Sequence, residues 1–327
     1  MAVMTYREAL RQSLREEMAR DDRVFLMGED IGTFNGPYKV TEGLLAEFGA
    51  KRVRDAPIAE EAIAGCAIGA AMLGLRPVIE FMTINFSLIA IDQIVNNAAK
   101  IRYMFGGELC VPMVIRTPAG AGGQLSAQHS QSLEAWYANV PGLKVVAPAF
   151  PADARAMLKT AIRGDDPVVF VEHLHLYNER GEVPEEEQLI PFGSANVARE
   201  GRDLTLVAHS RMTIQAMRAA EKLSEEGVEA EVVDVRSLRP LDRDTIIRSV
   251  QKTSRAVVVE EDWPTFGVGA ELAATIQEGA FDYLDAPVLR IGLAEVPMPY
   301  SKVLERAAIP DVDRIVATAR RTLERRR

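Results

Sequence analysis

The chain has 327 residues, 48% of them hydrophobic and 26% charged, and a net charge of −9. That balance excludes collagen-like, disulfide-scaffold, disordered and membrane-channel classes. The acidity argues against nucleic-acid binding outside a local basic patch. The one dense patch is Arg320, Arg321, Arg325, Arg326 and Arg327, on a helix-like end where it complements the helix dipole or meets an acidic partner. The two cysteines, Cys66 and Cys110, are too few for a framework, and both lie in apolar runs. They read as buried free thiols in a reducing compartment. The N-terminus lacks the apolar block of a signal peptide, and the longest small-apolar stretch, 62–75, is too short to span a bilayer. The expectation is a soluble, cytoplasmic protein.

Thr5-Tyr6-Arg7-Glu8 has the spacing of a capping box and opens an amphipathic helix to about residue 20. Val24-Phe25-Leu26-Met27 is a short apolar run, left at Gly28-Glu29-Asp30. Helices are predicted over 39–48 and 59–74, a strand over 77–80, a longer helix over 86–104 and a strand over 111–116. A glycine-rich loop follows. Strands over 143–147 and 168–172 flank a helix over 151–163. Short apolar strands alternating with helices predict a parallel sheet covered on both faces.

Residues 173–194 break this rhythm with Asn178, Gly181, Pro184, Pro191, Gly193 and the acidic run Glu185-Glu186-Glu187. They read as an interdomain linker. A second α/β pattern follows, with strands over 204–208, 231–235, 256–260 and 288–291. Helices lie near 213–226, 242–252 and 269–279, and a last one starts at about 311. No repeat of 20–50 residues is present. The domain reading is 1–175, a linker over 176–200, and 201–327.

The chain carries no Rossmann fingerprint, P-loop, nucleophile elbow or zinc-protease helix. Of its four histidines, His129, His173, His175 and His209, only His173 and His175 are close, and no cysteine lies near them. A zinc site is therefore disfavoured. Four stretches stand out. Asp55-Ala-Pro-Ile-Ala-Glu60-Glu61 puts two carboxylates at a helix start, either as dipole partners or, if one is buried in a cleft, as a proton donor near neutral pH. Gly65 and Gly69 in a run of small residues allow close helix packing, within the chain or against another subunit. Glu80-Phe-Met82-Thr-Ile-Asn85-Phe86 leaves a strand for a helix, where α/β folds bind ligands. Met82 and Phe86 suit a flat heteroaromatic ring there, or ordinary core. Residues 117–131 hold Gly120, Gly122, Gly123 and His129 in one long loop, an active-site candidate or a mobile surface segment.

Together these stretches resemble the β subunits of the thiamine-diphosphate-dependent first component of pyruvate dehydrogenase. The segments that carry the resemblance are GEDIGTFNGPYKVTEGL, DAPIAEEAIAGCAIGAAMLGLRPVIEFMTINFSLIAIDQIVNNAAK, AQHSQSLEAWY, PGLKVVAP, DDPVVFVEH, RSLRPLD, FGVGAE and EVPMPYSKVLE. They cover essentially the whole chain. The resemblance implies a transketolase-type pyrimidine-binding α/β domain with a parallel sheet, followed by a transketolase C-terminal α/β domain.

It also implies roles. Glu60 matches the glutamate that bonds the aminopyrimidine ring nitrogen of thiamine diphosphate, and Met82 and Phe86 match residues contacting that ring. Asp92 matches an acid on a proton path between paired sites. His129 matches a histidine that assists acyl transfer to lipoamide. Met113, Ala161, Ile162, Gly164 and Asp166 match a potassium site built from backbone carbonyls. The implied reaction is decarboxylation of pyruvate and reductive acetylation of the lipoyl group of the dihydrolipoamide acetyltransferase component.

The superfamily holds its diphosphate and magnesium with a Gly-Asp-Gly sequence, and none occurs here. The expectation is therefore an α2β2 assembly in which an α subunit supplies those contacts and a second β subunit packs alongside. Ile84 and Glu61 depart from the commonest family pattern. The alternatives are a branched-chain 2-oxo acid or acetoin enzyme, and a non-catalytic docking subunit.

Overall fold

The computed structural model describes residues 1–324, so Arg325, Arg326 and Arg327 of the basic cluster lie outside the described residues. The chain divides into two compact units. The first comprises Met1–Ala119, Trp136–Val146 and Phe150–Phe192; the second comprises Gly120–Ala135, Ala147–Ala149 and everything from Gly193 on. Among the described residues, no helix is long and apolar enough to cross a membrane.

The first unit opens with β1 (Ala2–Thr5) and α1 (Tyr6–Arg20). The Thr5 side chain accepts from the Glu8 N–H, and Glu8 accepts from the Thr5 N–H, so the capping box is closed both ways. Next come β2 (Val24–Gly28), α2 (Leu44–Phe48), β3 (Val53–Asp55), α3 (Glu60–Met72), β4 (Arg76–Glu80), α4 (Ile101–Met104) and β5 (Val114–Ala119). α5 (Glu134–Ala138) spans the point in the chain where the second unit gives way to the first. β6 (Lys144–Val146), α6 (Pro151–Arg163), β7 (Val168–His173) and β8 (Arg180–Val183) complete this unit. Its sheet runs β6-β7-β5-β4-β2-β3, every pair parallel. Every residue of β5 and β7 is buried, as strands covered on both faces require.

The second unit contains β9 (Asn196–Arg199), β10 (Leu204–Ala208), α7 (Arg211–Ser224), β11 (Ala230–Asp234) and β12 (Ser237–Arg239). α8 (Arg243–Thr253), β13 (Ala256–Val259), α9 (Val268–Ala280), β14 (Leu289–Ile291), α10 (Lys302–Ala308) and α11 (Val312–Glu324) follow. Its sheet runs β14-β13-β10-β11-β9, parallel except for edge strand β9. Leu204, Leu206 and Ala208 pack with Ala216 and Leu223 of α7 and Ile315 and Ala319 of α11. Thr205, on the alternate face, bonds Ser249 and Thr253 of α8. Helices therefore cover both faces.

Four local expectations differ from the structure. The helix expected over 39–48 starts only at Leu44, because Lys39 and Gly43 sit at φ 61° and 82°. The Lys39 ammonium lies 3.8 Å from the Phe34 ring and donates to the Phe34 carbonyl, which holds that turn outside the helix. The helix expected over 86–104 is broken into a tight turn at Ile84–Leu88, a π-helical segment at Gln93–Ala98 and α4. A wound or bulged helix satisfies the same apolar spacing, so periodicity cannot tell these apart. The stretch without a period contains β8, an exposed edge paired antiparallel with β1 from Ala2↔Val183 to Thr5↔Arg180. Cys66 is exposed and Cys110 half-buried, not both buried. α3 turns Ile63, Ala64, Ala67 and Ile68 inward and leaves Ala62, Cys66 and Gly69 outward. At the other end of the chain, Arg320 is engaged by Glu226.

Candidate active site

Three adjacent parallel strands of the first unit end side by side. Gly28 of β2 pairs in register with Glu80 of β4 and Asp55 of β3. The chain thus leaves the sheet next to itself three times, into Glu29, into Ala56 and into Phe81. Gly28 is required at this point, since a Cβ there would lie 2.7 Å from the Glu80 carbonyl oxygen. The carboxyl ends of parallel strands are where open α/β sheets bind ligands.

Two carboxyls meet at this end. Glu60 opens α3 at 2% exposure and Glu29 follows β2 at 8%. Burial, followed by the charge of the neighbouring Glu60, pushes the Glu29 carboxyl above its ordinary value. Among the described residues, no lysine, arginine or histidine pairs with either. The loop after Glu29 is tied down by Asp55, which accepts from Gly32 N–H at 2.6 Å and Thr33 N–H at 2.9 Å. Burial opposes the Asp55 charge, but the Thr33 and Gly32 donors outweigh it and hold the carboxyl below its ordinary range. A buried carboxyl pair free of cations suits a ligand with a ring nitrogen and an amino group, which needs one acceptor and one shared proton. The residues present therefore fit an aminopyrimidine.

Met82 and Phe86 follow β4, both half-buried, on the segment where Thr83 caps the Ile84–Leu88 turn. Asp92 is exposed and accepts from Asn96 Nδ2 at 2.6 Å. Behind this edge lies a buried charge network. Arg116 of β5 donates from Nη1 to Glu80 at 2.7 Å, and from Nε and Nη2 to Glu172 of β7 at 2.7 and 2.9 Å. Tyr177 donates to Glu172 at 2.7 Å and stacks on Tyr38 at 5.1 Å. Burial pushes the Tyr38 hydroxyl up to about 12. Both Glu80 and Glu172 are thus committed to one guanidinium, which leaves Glu29 and Glu60 as the free acids of this end.

The glycine-rich loop belongs to the second unit. Gly120 N–H bonds Gln131 C=O at 3.2 Å and closes its base, while His129 near the far end is exposed. Ala121 N–H donates to Glu261 at 2.7 Å, and Arg211 bridges Glu261 and the Ala121 carbonyl. Beyond the loop, Glu134 meets His209 at 3.2 Å. Glu260 accepts from Gly269 N–H at 2.7 Å. Burial first, then the charge of Glu134, raises Asp262 to about 8, and burial raises Glu260 to about 7. Oxygens of Glu134 and Glu260 and Nδ1 of His209 are buried without a hydrogen-bond partner. A Cβ on Gly269 would stand 2.3 Å from Glu260 Oε1, which explains the second glycine of FGVGAE.

Of the five carbonyls expected at a potassium site, four, those of Met113, Ala161, Ile162 and Gly164, are engaged. Arg76 Nη1 donates to Ile162 C=O at 3.0 Å and Gly164 C=O at 2.7 Å. Ala161 C=O accepts from Gly164 N–H and Met113 C=O from Val168 N–H. The Asp166 side chain is held by Arg102 and Lys144. A guanidinium already sits on two of the donors, so the residues present do not fit a further cation, and no step is drawn through one.

Sequence reasoning missed Glu29, although a carboxylate just after an apolar run is the same signal that marked Glu80. It also missed Glu261 and Glu305, whose partners lie 140 and 183 residues away and leave no local trace.

Residues 2–179 match the transketolase pyrimidine-binding domain family, and residues 193–315 the transketolase C-terminal domain family. A mitochondrial pyruvate dehydrogenase E1 component subunit beta-2 of Oryza sativa subsp. japonica is 53% identical over 326 residues, covering 98% of this chain and 87% of that protein. The pyruvate dehydrogenase E1 component subunit beta of Rhizobium meliloti (strain 1021) is 50% identical over 317 residues, 97% of this chain and 69% of that protein. The mitochondrial subunit beta of Homo sapiens is 50% identical over 325 residues, 98% and 90% of the two chains. A solved split gene transketolase, described as an inactive beta4 tetramer, matches with a TM-score of 0.83 at 26% identity, over 99% of this chain and 100% of that one.

Proposed function

The chain belongs to the family of pyruvate dehydrogenase E1 component β subunits, and from that premise we propose that it is the β half of an enzyme that decarboxylates pyruvate and reductively acetylates a lipoyl group. The observation that carries the reading is the buried Glu29–Glu60 pair at the ends of adjacent parallel strands. Thiamine diphosphate, when bound, supplies the carbanion and the electron sink for decarboxylation. Glu60 would hold the aminopyrimidine nitrogen and exchange a proton with it, while Met82 and Phe86 flank the ring. The burial of Glu60 beside Glu29, with the Glu29 carboxyl pushed above its ordinary value by that burial, supports this. His129, exposed on its loop, would give or take a proton during transfer to lipoamide. Asp92 is exposed and would extend the proton path between paired sites.

An α subunit completes the assembly in this reading. The chain has no Gly-Asp-Gly for diphosphate and magnesium. The outer face of α3 is also open. A Cβ on Gly69 meets nothing within 4 Å, and one on Gly65 meets only Gln93. Ile58 and Ile89 beside that face are 82% and 59% exposed. This apolar, small-residue surface suits a partner subunit in an α2β2 tetramer, and the acetyltransferase component accepts the product. The three E1 β subunits named above all bear the pyruvate name, which favours pyruvate over branched-chain 2-oxo acids and acetoin. Rates of the co-expressed αβ enzyme with pyruvate, 3-methyl-2-oxobutanoate and acetoin test this. Pyruvate is expected to be the best substrate, and a ranking with pyruvate last overturns the reading.

A further inference from the structure

Glu305 is a buried carboxylate, 2% exposed, in the short helix α10, where Lys302, Val303, Leu304 and Arg306 around it are all exposed. Among the described residues, no cation pairs with it. Its oxygens instead face the glycine-rich loop. Oε1 accepts from Gly122 N–H and from Gln124 N–H, both at 3.0 Å, and Oε2 from Gln124 N–H at 3.2 Å. An ionised group aimed at peptide N–H groups makes charge-assisted bonds, stronger than neutral ones.

The backbone that meets it is unusual. Gly120, Gly122, Gln124 and Ser126 all have positive φ, at 90°, 103°, 56° and 67°. Left-handed residues at every second position curl the chain so that its N–H groups converge on one concave side, a cradle for an anion. Two of the four are not glycine, so the curl is held against their own preference. Glu305 is the anion that fills the cradle. Three residues past Ser126 the same loop presents His129, whose N–H bonds back to the Ser126 carbonyl at 3.4 Å.

We propose that Glu305 is a positioning residue for the acyl-transfer step: its carboxylate sets the curl of residues 120–126 and thereby the place of His129. This rests on the role given to His129 above. The proposal separates two half-reactions. Decarboxylation, assayed with a small artificial electron acceptor, does not need the loop histidine in this account, whereas reductive acetylation of a lipoyl domain does.

The test uses the assembled αβ enzyme. Glu305→Ala is expected to lower kcat for lipoyl-domain acetylation at least about tenfold, with decarboxylation to the artificial acceptor within about twofold of wild type. Glu305→Gln keeps an oxygen at the Oε1 position and is expected to recover most of the loss. In a His129→Ala background, Glu305→Ala is expected to add nothing. Equal losses in both half-reactions, or an undiminished effect without His129, would overturn the proposal and leave Glu305 a structural residue. If Glu305→Ala does not assemble, Glu305→Asp, which shortens the reach, is read in the same cycle. Wild-type enzyme with no pyruvate-dependent activity would instead refute the functional reading itself.

Discussion

Glu29, just past β2, and Glu60, at the start of α3, are both buried at the same end of the parallel sheet, close enough that the charge of Glu60 adds to burial in raising the Glu29 carboxyl. Because Glu29 is raised above its ordinary value, the folded chain keeps a proton there that the unfolded chain releases. Its contribution to stability is full below the ordinary carboxyl range and is lost as pH rises through the raised value. Glu29→Gln imitates the protonated acid. Its melting temperature relative to wild type is expected to be higher at about pH 8 than at about pH 5. Thermal unfolding at the two pH values checks this, and an equal shift at both contradicts it.

The second unit makes a similar prediction on a larger scale. Asp262 is raised to about 8 and Glu260 to about 7, with Glu134 and His209 facing them. Both shifts are upward, so the contribution of these two groups to stability is full below the ordinary carboxyl range and is lost as pH rises through about 7 to about 8. Thermal unfolding across this range is expected to show the decline. Asp262→Asn is expected to flatten it, and an unchanged slope in that variant would assign the effect elsewhere.

Arg116 holds two buried glutamates, so removing it leaves both uncompensated. Arg116→Met is expected to cost about 3–5 kcal/mol in denaturant unfolding. Arg116→Lys is expected to fail as a replacement, because an ammonium cannot make the paired bonds to Glu172 and still reach Glu80. A loss under about 1 kcal/mol for Arg116→Met would mean that the network is solvated in solution.

The strands and most helices were legible because each buried strand is a short apolar run, and α6 and β10 match their expected bounds residue for residue. Departures came where backbone chemistry overrides spacing, at the left-handed Lys39 and Gly43 and in the π-helical Gln93–Ala98. β8 was illegible because an exposed edge pair needs no apolar alternation. At the site, Glu60, Met82, Phe86 and His129 stood out through position after a strand or within a loop. The carboxylates that brace the loop, Glu261 and Glu305, did not, since a long-range hydrogen bond to a peptide N–H leaves no mark in the local pattern.

The central claim is that Glu60 exchanges the proton that activates the cofactor. Single-turnover decarboxylation of pyruvate by the αβ enzyme carrying Glu60→Gln tests it most directly. The variant is expected to assemble and bind thiamine diphosphate, and to decarboxylate about 100- to 10,000-fold more slowly, the usual worth of a positioned acid–base group. An intact variant with a rate close to wild type would contradict the account.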